Sequence, residues 1–203
     1  MALTLYGHPR SRTFRVLWVL AETGLPCEFV QIPAAEAAQD ERITRRNPIG
    51  KIPVLQDGER VLTESMVIGY YLARKAGSPL LPADLMGECQ VLQWTSWVGA
   101  EVERPLTLLY QHRVLFPPER RRPELADAAE PELKRPFDAL ERALADRPWL
   151  LGSEFTLADL HVAVVMVMTR FLRMDLAPWP RVRDWLDRCT ARPAFAAAER
   201  LRA

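Results

Sequence analysis

Short apolar runs and amphipathic stretches alternate through the first third of the chain. Residues 3–6 (Leu-Thr-Leu-Tyr) read as a short buried strand, closed by Gly7 and Pro9. From Ser11 onward, Phe14, Leu17, Trp18 and Ala21 fall on one helical face, and Gly24 supplies the C-terminal stop. Pro26 leads into a second strand over 27–32, so the chain opens as β-α-β, a parallel pair with a crossover helix. A polar, helix-prone stretch then ends at Asn47-Pro48. Two apolar runs, 51–56 and 59–63, are joined by Asp57-Gly58, a strong hairpin signal because both residues accept positive φ. Helical spacing of Met66, Ile68, Tyr70 or Tyr71, and Leu72 continues to Ala76. The order β-α-β-(α)-β-β-α predicts a mixed four-stranded sheet packed with helices.

Residues 77–82 (Gly-Ser-Pro-Leu-Leu-Pro) break this pattern and read as a linker, after which the periodicity is helical throughout. The expected helices are 88–115 kinked at Pro105, then 131–145, 157–173, 182–190 and 194–201. Thr156-Leu157-Ala158-Asp159 is a capping box with Asp in the usual Glu place, flanked by Phe155 and Leu160 as a hydrophobic staple. The helix it opens is apolar nearly all round and is expected at the centre of its domain. The expected division is an α/β domain over 1–76, a linker over 77–84 and an all-helical domain over 85–203.

Composition narrows the functional classes. The 203 residues are 49% hydrophobic and 26% charged, enough to bury a core in each of two small domains. With 27 basic and 26 acidic residues the net charge is +1, without the positive excess that nucleic-acid binding uses against phosphates. Cys27, Cys89 and Cys189 are odd in number and form no CxxC; with histidines only at 8, 112 and 161, no zinc-like ligand set emerges. Free thiols fit a reducing compartment, the N-terminal residues lack the apolar core of a signal peptide, and the longest apolar run is too short to span a bilayer. The expected location is cytoplasmic.

Four segments in fixed order then carry a resemblance: Leu5-Tyr6-Gly7 through Ser11 and Arg15; Asn47-Pro48-Ile49-Gly50-Lys51-Ile52-Pro53-Val54-Leu55; Glu64-Ser65; and Phe155-Thr156-Leu157-Ala158-Asp159. Over essentially the whole chain the sequence resembles the soluble glutathione S-transferases, of the bacterial, theta-like kind with a serine active site. The resemblance implies a thioredoxin-like N-terminal domain and a helical bundle behind it, glutathione as co-substrate, no metal, and a homodimer. It also implies a role for each segment. Ser11 would donate a hydrogen bond to the glutathione sulfur, beside its plain reading as a helix cap. Tyr6 is the rival donor, since other branches use a tyrosine from the first strand. Arg10 and Arg12 would favour a thiolate or the glycyl carboxylate, unless they are merely solvated; His8 reads as a turn residue. A cis Ile52-Pro53 bond would expose the Ile52 backbone to the cysteinyl part of glutathione, with Lys51 near its glycyl carboxylate and Asn47 shaping the loop. Ser65 suits the γ-glutamyl carboxylate at a helix start, and Glu64 its ammonium.

The reaction so implied is transfer of glutathione to a small hydrophobic electrophile, in a second site between the domains near Trp94, Trp97, Glu101, Arg104, Leu108 and Tyr110. Peroxide reduction, dehalogenation, isomerisation or ether cleavage would keep the same glutathione site and alter only the second pocket. The alternative of a different class is a regulatory binding module that kept the fold and lost the chemistry.

Overall fold

The computed structural model describes residues 2–202. The chain divides into two compact units, Met1–Leu81 with Ala191–Ala203, and Pro82–Thr190.

The first unit is built on a sheet of order β2-β1-β3-β4, with β1 Leu3–Gly7, β2 Cys27–Gln31, β3 Val54–Asp57 and β4 Arg60–Leu62. β1 runs parallel to β2 and antiparallel to β3, which pairs antiparallel with β4. The helices are α1 Thr13–Thr23, the short α2 Glu41–Thr44 and α3 Ser65–Lys75. Period-two burial explains the layering: Leu3, Leu5 and Gly7 are buried, while Thr4 and Tyr6 alternate to the other face. On that second face Ile32, Ala37, Ile43 and Val54 form a small core to which Tyr6, Val30 and Ile52 add their partly buried side chains. α1 and α3 pack against each other.

Local signals place the ends of these elements. Gly24 takes a left-handed conformation (φ 66°) and its N–H bonds the Leu20 carbonyl at 2.9 Å, closing α1. The hairpin differs from expectation: Asp57 pairs with Arg60, so the loop is Gly58-Glu59 and only Gly58 has positive φ. Asp57 instead ends β3, where its carboxylate accepts hydrogen bonds from Tyr71 Oη and Lys75 Nζ of α3.

The last helix, α11 Pro193–Arg200, belongs to this first unit, not to the helical domain. Phe195 sits edge-on to Phe14 and Trp18 at 5.6 and 4.9 Å, and Arg192 makes a bidentate pair with Glu22 at 2.7 and 2.8 Å. Nothing in the helical periodicity of 194–201 distinguished an apolar face meant for α1 from one meant for the bundle.

The second unit is helical: α4 Leu85–Trp97, α5 Arg104–Tyr110, α6 Pro123–Ala129, α7 Lys134–Ala143, α8 Leu157–Met166, α9 Met168–Phe171 and α10 Pro180–Thr190. Asp84 caps α4 through a 2.9 Å bond from the Gly87 N–H, starting it three residues before the expected boundary. Wide π-helical turns at Val98–Glu103 and Gln111–Leu115 flank α5, and the first of these precedes Pro105, whose ring N cannot continue an α ladder. α6 was not expected; its sequence signal is Pro123 at the first helical position. The expected helix over 157–173 breaks between α8 and α9 at Val167.

The capping box of α8 is formed as expected. Asp159 does more than cap, however. Its Oδ2 accepts from Thr156 N and Oγ1 at 3.0 and 3.1 Å, and its Oδ1 from Leu150 N and Trp185 Nε1 at 2.8 and 2.9 Å. Burial pushes this carboxyl above its usual range, while the four donors pull the other way. Asp159 thus ties the turn before α8 to α10 inside an apolar core. Asp159→Ala strands four donors without solvent, and we expect a loss of about 3–5 kcal/mol, or no folded protein, in denaturant titration. A loss under about 1 kcal/mol would contradict this reading.

Candidate active site

The sheet register brings three segments to one end of the first unit. β1 and β4 both leave the sheet where β3 enters it, because each is antiparallel to β3. The turn 8–12, the Ile52-Pro53 bond and the Glu64-Ser65 step therefore share that end, beside the N-termini of α1 and α3.

Ser11 lies in the turn before α1, half-buried, and is not the cap position, which falls on Arg12. Its hydroxyl donates to the His8 carbonyl at 2.7 Å and lies 2.9 Å from Thr13 Oγ1. The Thr13 N–H also donates to Ser11 Oγ at 3.2 Å, and the His8 N–H donates to Thr13 Oγ1 at 3.1 Å. This ring needs Gly7. A Cβ there would stand 2.2 Å from Thr13 Oγ1 and 2.9 Å from its Cβ, closer than atoms can approach.

Tyr6 is placed elsewhere. Its side chain turns to the second face of the sheet, where its hydroxyl meets Gln56 Oε1 at 3.4 Å and the Arg46 guanidinium lies 4.6 Å above its ring. Arg46 Nε also binds Gln56 Oε1, at 2.8 Å.

His8 is a turn residue whose Nδ1 accepts the Arg10 N–H at 3.2 Å. Arg10 and Arg12 are exposed, and Arg10 Nε donates to the Arg202 carbonyl at 3.2 Å, so its charge is drawn toward the C-terminal segment.

The Ile52-Pro53 peptide is cis, as the resemblance implied. β3 begins at Val54, and among the described residues the Ile52 backbone has no hydrogen-bond partner. Asn47 is buried and sets the loop: its Nδ2 donates to the Lys51 carbonyl at 2.8 Å and its Oδ1 accepts from Ile49 N at 3.2 Å. The Lys51 side chain is exposed.

At the start of α3, Glu64 holds φ 64° and ψ 107°, a conformation unusual for a non-glycine residue, with its side chain exposed. Ser65 is buried, and Arg15 Nη1 donates to its Oγ at 2.7 Å. Among the described residues no side chain caps α3, so its first-turn N–H groups remain open to an anion. The part played by Arg15 was missed in the sequence, although one arginine on the otherwise apolar face of the first helix was a readable signal.

The candidate second-site residues lie in the helical unit. Trp94 and Trp97 stack edge-to-face at 5.0 Å, Tyr110 tilts over Phe171 at 5.9 Å, Leu108 is half-buried, and Glu101 and Arg104 are exposed. Among the described residues no group of His, Cys, Asp and Glu could hold a metal ion. Burial pushes the Cys27 thiol up to about 11, so it is not a thiolate at neutral pH.

The first unit is a thioredoxin-like domain, and a helical domain follows it. Residues 1–74 match the family model "Glutathione S-transferase, N-terminal domain" and residues 104–193 match "Glutathione S-transferase, C-terminal domain". Glutathione S-transferase 3 of Zea mays is 34% identical, over 95% of this chain and 91% of its own. Glutathione transferase F7 from Populus trichocarpa superposes with a TM-score of 0.90 at 25% identity, covering 100% of both chains. The theta class glutathione S-transferase of Xanthomonas axonopodis pv. citri, crystallised with glutathione bound, gives 0.89 at 25% identity over 97% of this chain and 96% of that one. The chain belongs to the glutathione S-transferase family.

The packing at Gly7 gives a direct check on the site. Gly7→Ala must displace Thr13, and we expect about 1–3 kcal/mol lost in thermal unfolding together with most of the glutathione-conjugating activity. Unchanged activity would show that the ring of hydrogen bonds does not need this close approach.

Proposed function

We propose that this chain is a serine-type transferase that ionises bound glutathione and conjugates it to a small hydrophobic electrophile. The observation that carries this reading is Ser11: a half-buried hydroxyl held at the mouth of α1, at the sheet end that also presents Ile52 and the open N-terminus of α3. The roles assigned to these residues rest on that placement and on family membership.

The free glutathione thiol has a pKa near 8.5, so little is ionised at neutral pH. Lowering it by about two units requires roughly 2.7 kcal/mol of preference for the thiolate. The Ser11 O–H donating to sulfur, with the positive end of the α1 dipole behind it, has the right magnitude. The thiol proton leaves to solvent, the thiolate attacks the electrophilic carbon, and the leaving group departs with the bond electrons. Glutathione lies as a short antiparallel addition on Ile52, whose N–H and C=O pair with the cysteinyl unit, and cis-Pro53 forms the floor. Ser65 and the first N–H groups of α3 take the γ-glutamyl carboxylate, and Glu64 takes its ammonium. Arg15 holds the Ser65 hydroxyl in place from below. Lys51 and Arg12 supply charge for the glycyl carboxylate.

The protein acts as a homodimer in the cytoplasm. Leu85 and Met86, 77% and 68% exposed, lie with Leu92 on α4, and Ile49, Val61 and Val67 are exposed on the first unit. Such apolar surface on each unit suits burial against a second copy. The three free cysteines suit a reducing compartment.

Two measurements test these statements. Ser11→Ala should lower kcat/KM for an aryl-halide electrophile by about 10- to 100-fold and move the pH–rate profile one to two units alkaline. Retention on immobilised glutathione should persist, and an unchanged rate would remove Ser11 from the chemistry. Sedimentation should report twice the chain mass, reduced to the monomer by Met86→Glu; a monomeric parent protein would refute the dimer.

A further inference from the structure

The bonds around Ser11 and Thr13 constrain which hydroxyl gives its proton to which. The His8 carbonyl can only accept, so at 2.7 Å the single Ser11 hydroxyl proton points at it. Thr13 Oγ1 already accepts the His8 N–H at 3.1 Å. The remaining contact, Ser11 Oγ to Thr13 Oγ1 at 2.9 Å, therefore takes its proton from Thr13. The Thr13 N–H donates to the same Ser11 oxygen at 3.2 Å. Ser11 Oγ thus accepts twice from one residue and donates once.

Both acceptor positions of the Ser11 oxygen are therefore occupied, so Ser11 is poor at taking a proton and disposed to give a hydrogen bond. Two donors on an oxygen also polarise its own O–H, and linked hydrogen bonds strengthen one another. Thr13 is fully buried, so its hydroxyl has no solvent competitor, and Gly7 fixes its distance.

We propose that Thr13 is a positioning residue for the conjugation reaction: its hydroxyl and backbone N–H jointly aim and polarise the Ser11 hydroxyl, making Ser11 a dedicated donor to the thiolate. This rests on the assignment of Ser11 as that donor. When glutathione binds, the Ser11 proton turns from the His8 carbonyl to the sulfur, while both bonds from Thr13 stay in place.

The test compares Thr13→Val, Thr13→Ser and Ser11→Ala, measuring the pKa of enzyme-bound glutathione from thiolate absorbance and kcat across pH. Thr13→Val removes the hydroxyl at constant shape. We expect it to raise the bound-thiol pKa by about half to one unit and to lower kcat at neutral pH by about three- to tenfold. The deficit should shrink at alkaline pH, where the thiol is ionised in every variant, with KM for glutathione changed little. Thr13→Ser, which restores the hydroxyl, should recover the parent profile. A purely structural role would instead depress kcat equally at all pH values, and that result would overturn the proposal. So would a Thr13→Val thiol pKa equal to the parent value. Should Thr13→Val not fold, Thr13→Ala gives the same comparison without crowding Gly7. A Ser11→Ala protein with the parent thiol pKa would refute the Ser11 assignment itself; an altered Ser11→Ala beside an unaltered Thr13→Val would refute only the role of Thr13.

Discussion

The site depends on how closely the first helix can begin against the end of β1. Thr13 opens α1 directly over Gly7, at a distance no side chain at position 7 could share. That contact lets Thr13 reach both the His8 N–H and the Ser11 oxygen, and the ring closes through the Ser11 hydroxyl on the His8 carbonyl. Each bond is worth only about 1 kcal/mol net, but leaving any of these half-buried groups unmet costs about 1–3 kcal/mol. Geometry is therefore enforced more by the penalty for breaking the ring than by the gain from making it. A hydroxyl with one proton to give and both acceptor positions filled results.

The same logic organises the neighbouring parts. Arg15, four residues after Ser11, sends its guanidinium to Ser65 and so couples the first helix to the start of the third. Ser65 is thereby fixed beside the uncapped first turn of α3, and the strained Glu64 backbone immediately precedes it. In the helical unit Asp159 plays the corresponding part, satisfying four buried donors from three elements of chain. In each unit a buried polar group ties distant segments together inside an apolar core.

The fold of the first unit was readable because its signals are local. Alternation in 3–6, the Gly24 stop and the Asp57-Gly58 turn each determine a few residues, and each was found within a residue or two. Ser11, Ile52-Pro53 and Glu64-Ser65 were singled out by the resemblance, and sheet pairing brings all three to one end of the first unit, with the Ile52-Pro53 bond cis. What escaped the sequence was non-local. The docking of α11 on α1 depends on Phe195 finding Phe14 and Trp18, and nothing in residues 194–201 names those partners. The Arg15 bond to Ser65, fifty residues away, and the Asp159 bonds to Leu150 and Trp185 are invisible for the same reason. Tyr6 could be separated from Ser11 only when strand pairing showed which face its ring takes.

The most direct measurement is a crystal structure with glutathione bound, at a resolution that fixes the Ser11 rotamer. The account predicts the sulfur within hydrogen-bond reach of Ser11 Oγ, with the Thr13 contacts kept, the Ser11 hydroxyl turned away from the His8 carbonyl and the cysteinyl backbone paired with Ile52. A sulfur facing any other side chain, or a Ser11 hydroxyl still donating to the His8 carbonyl, would contradict it.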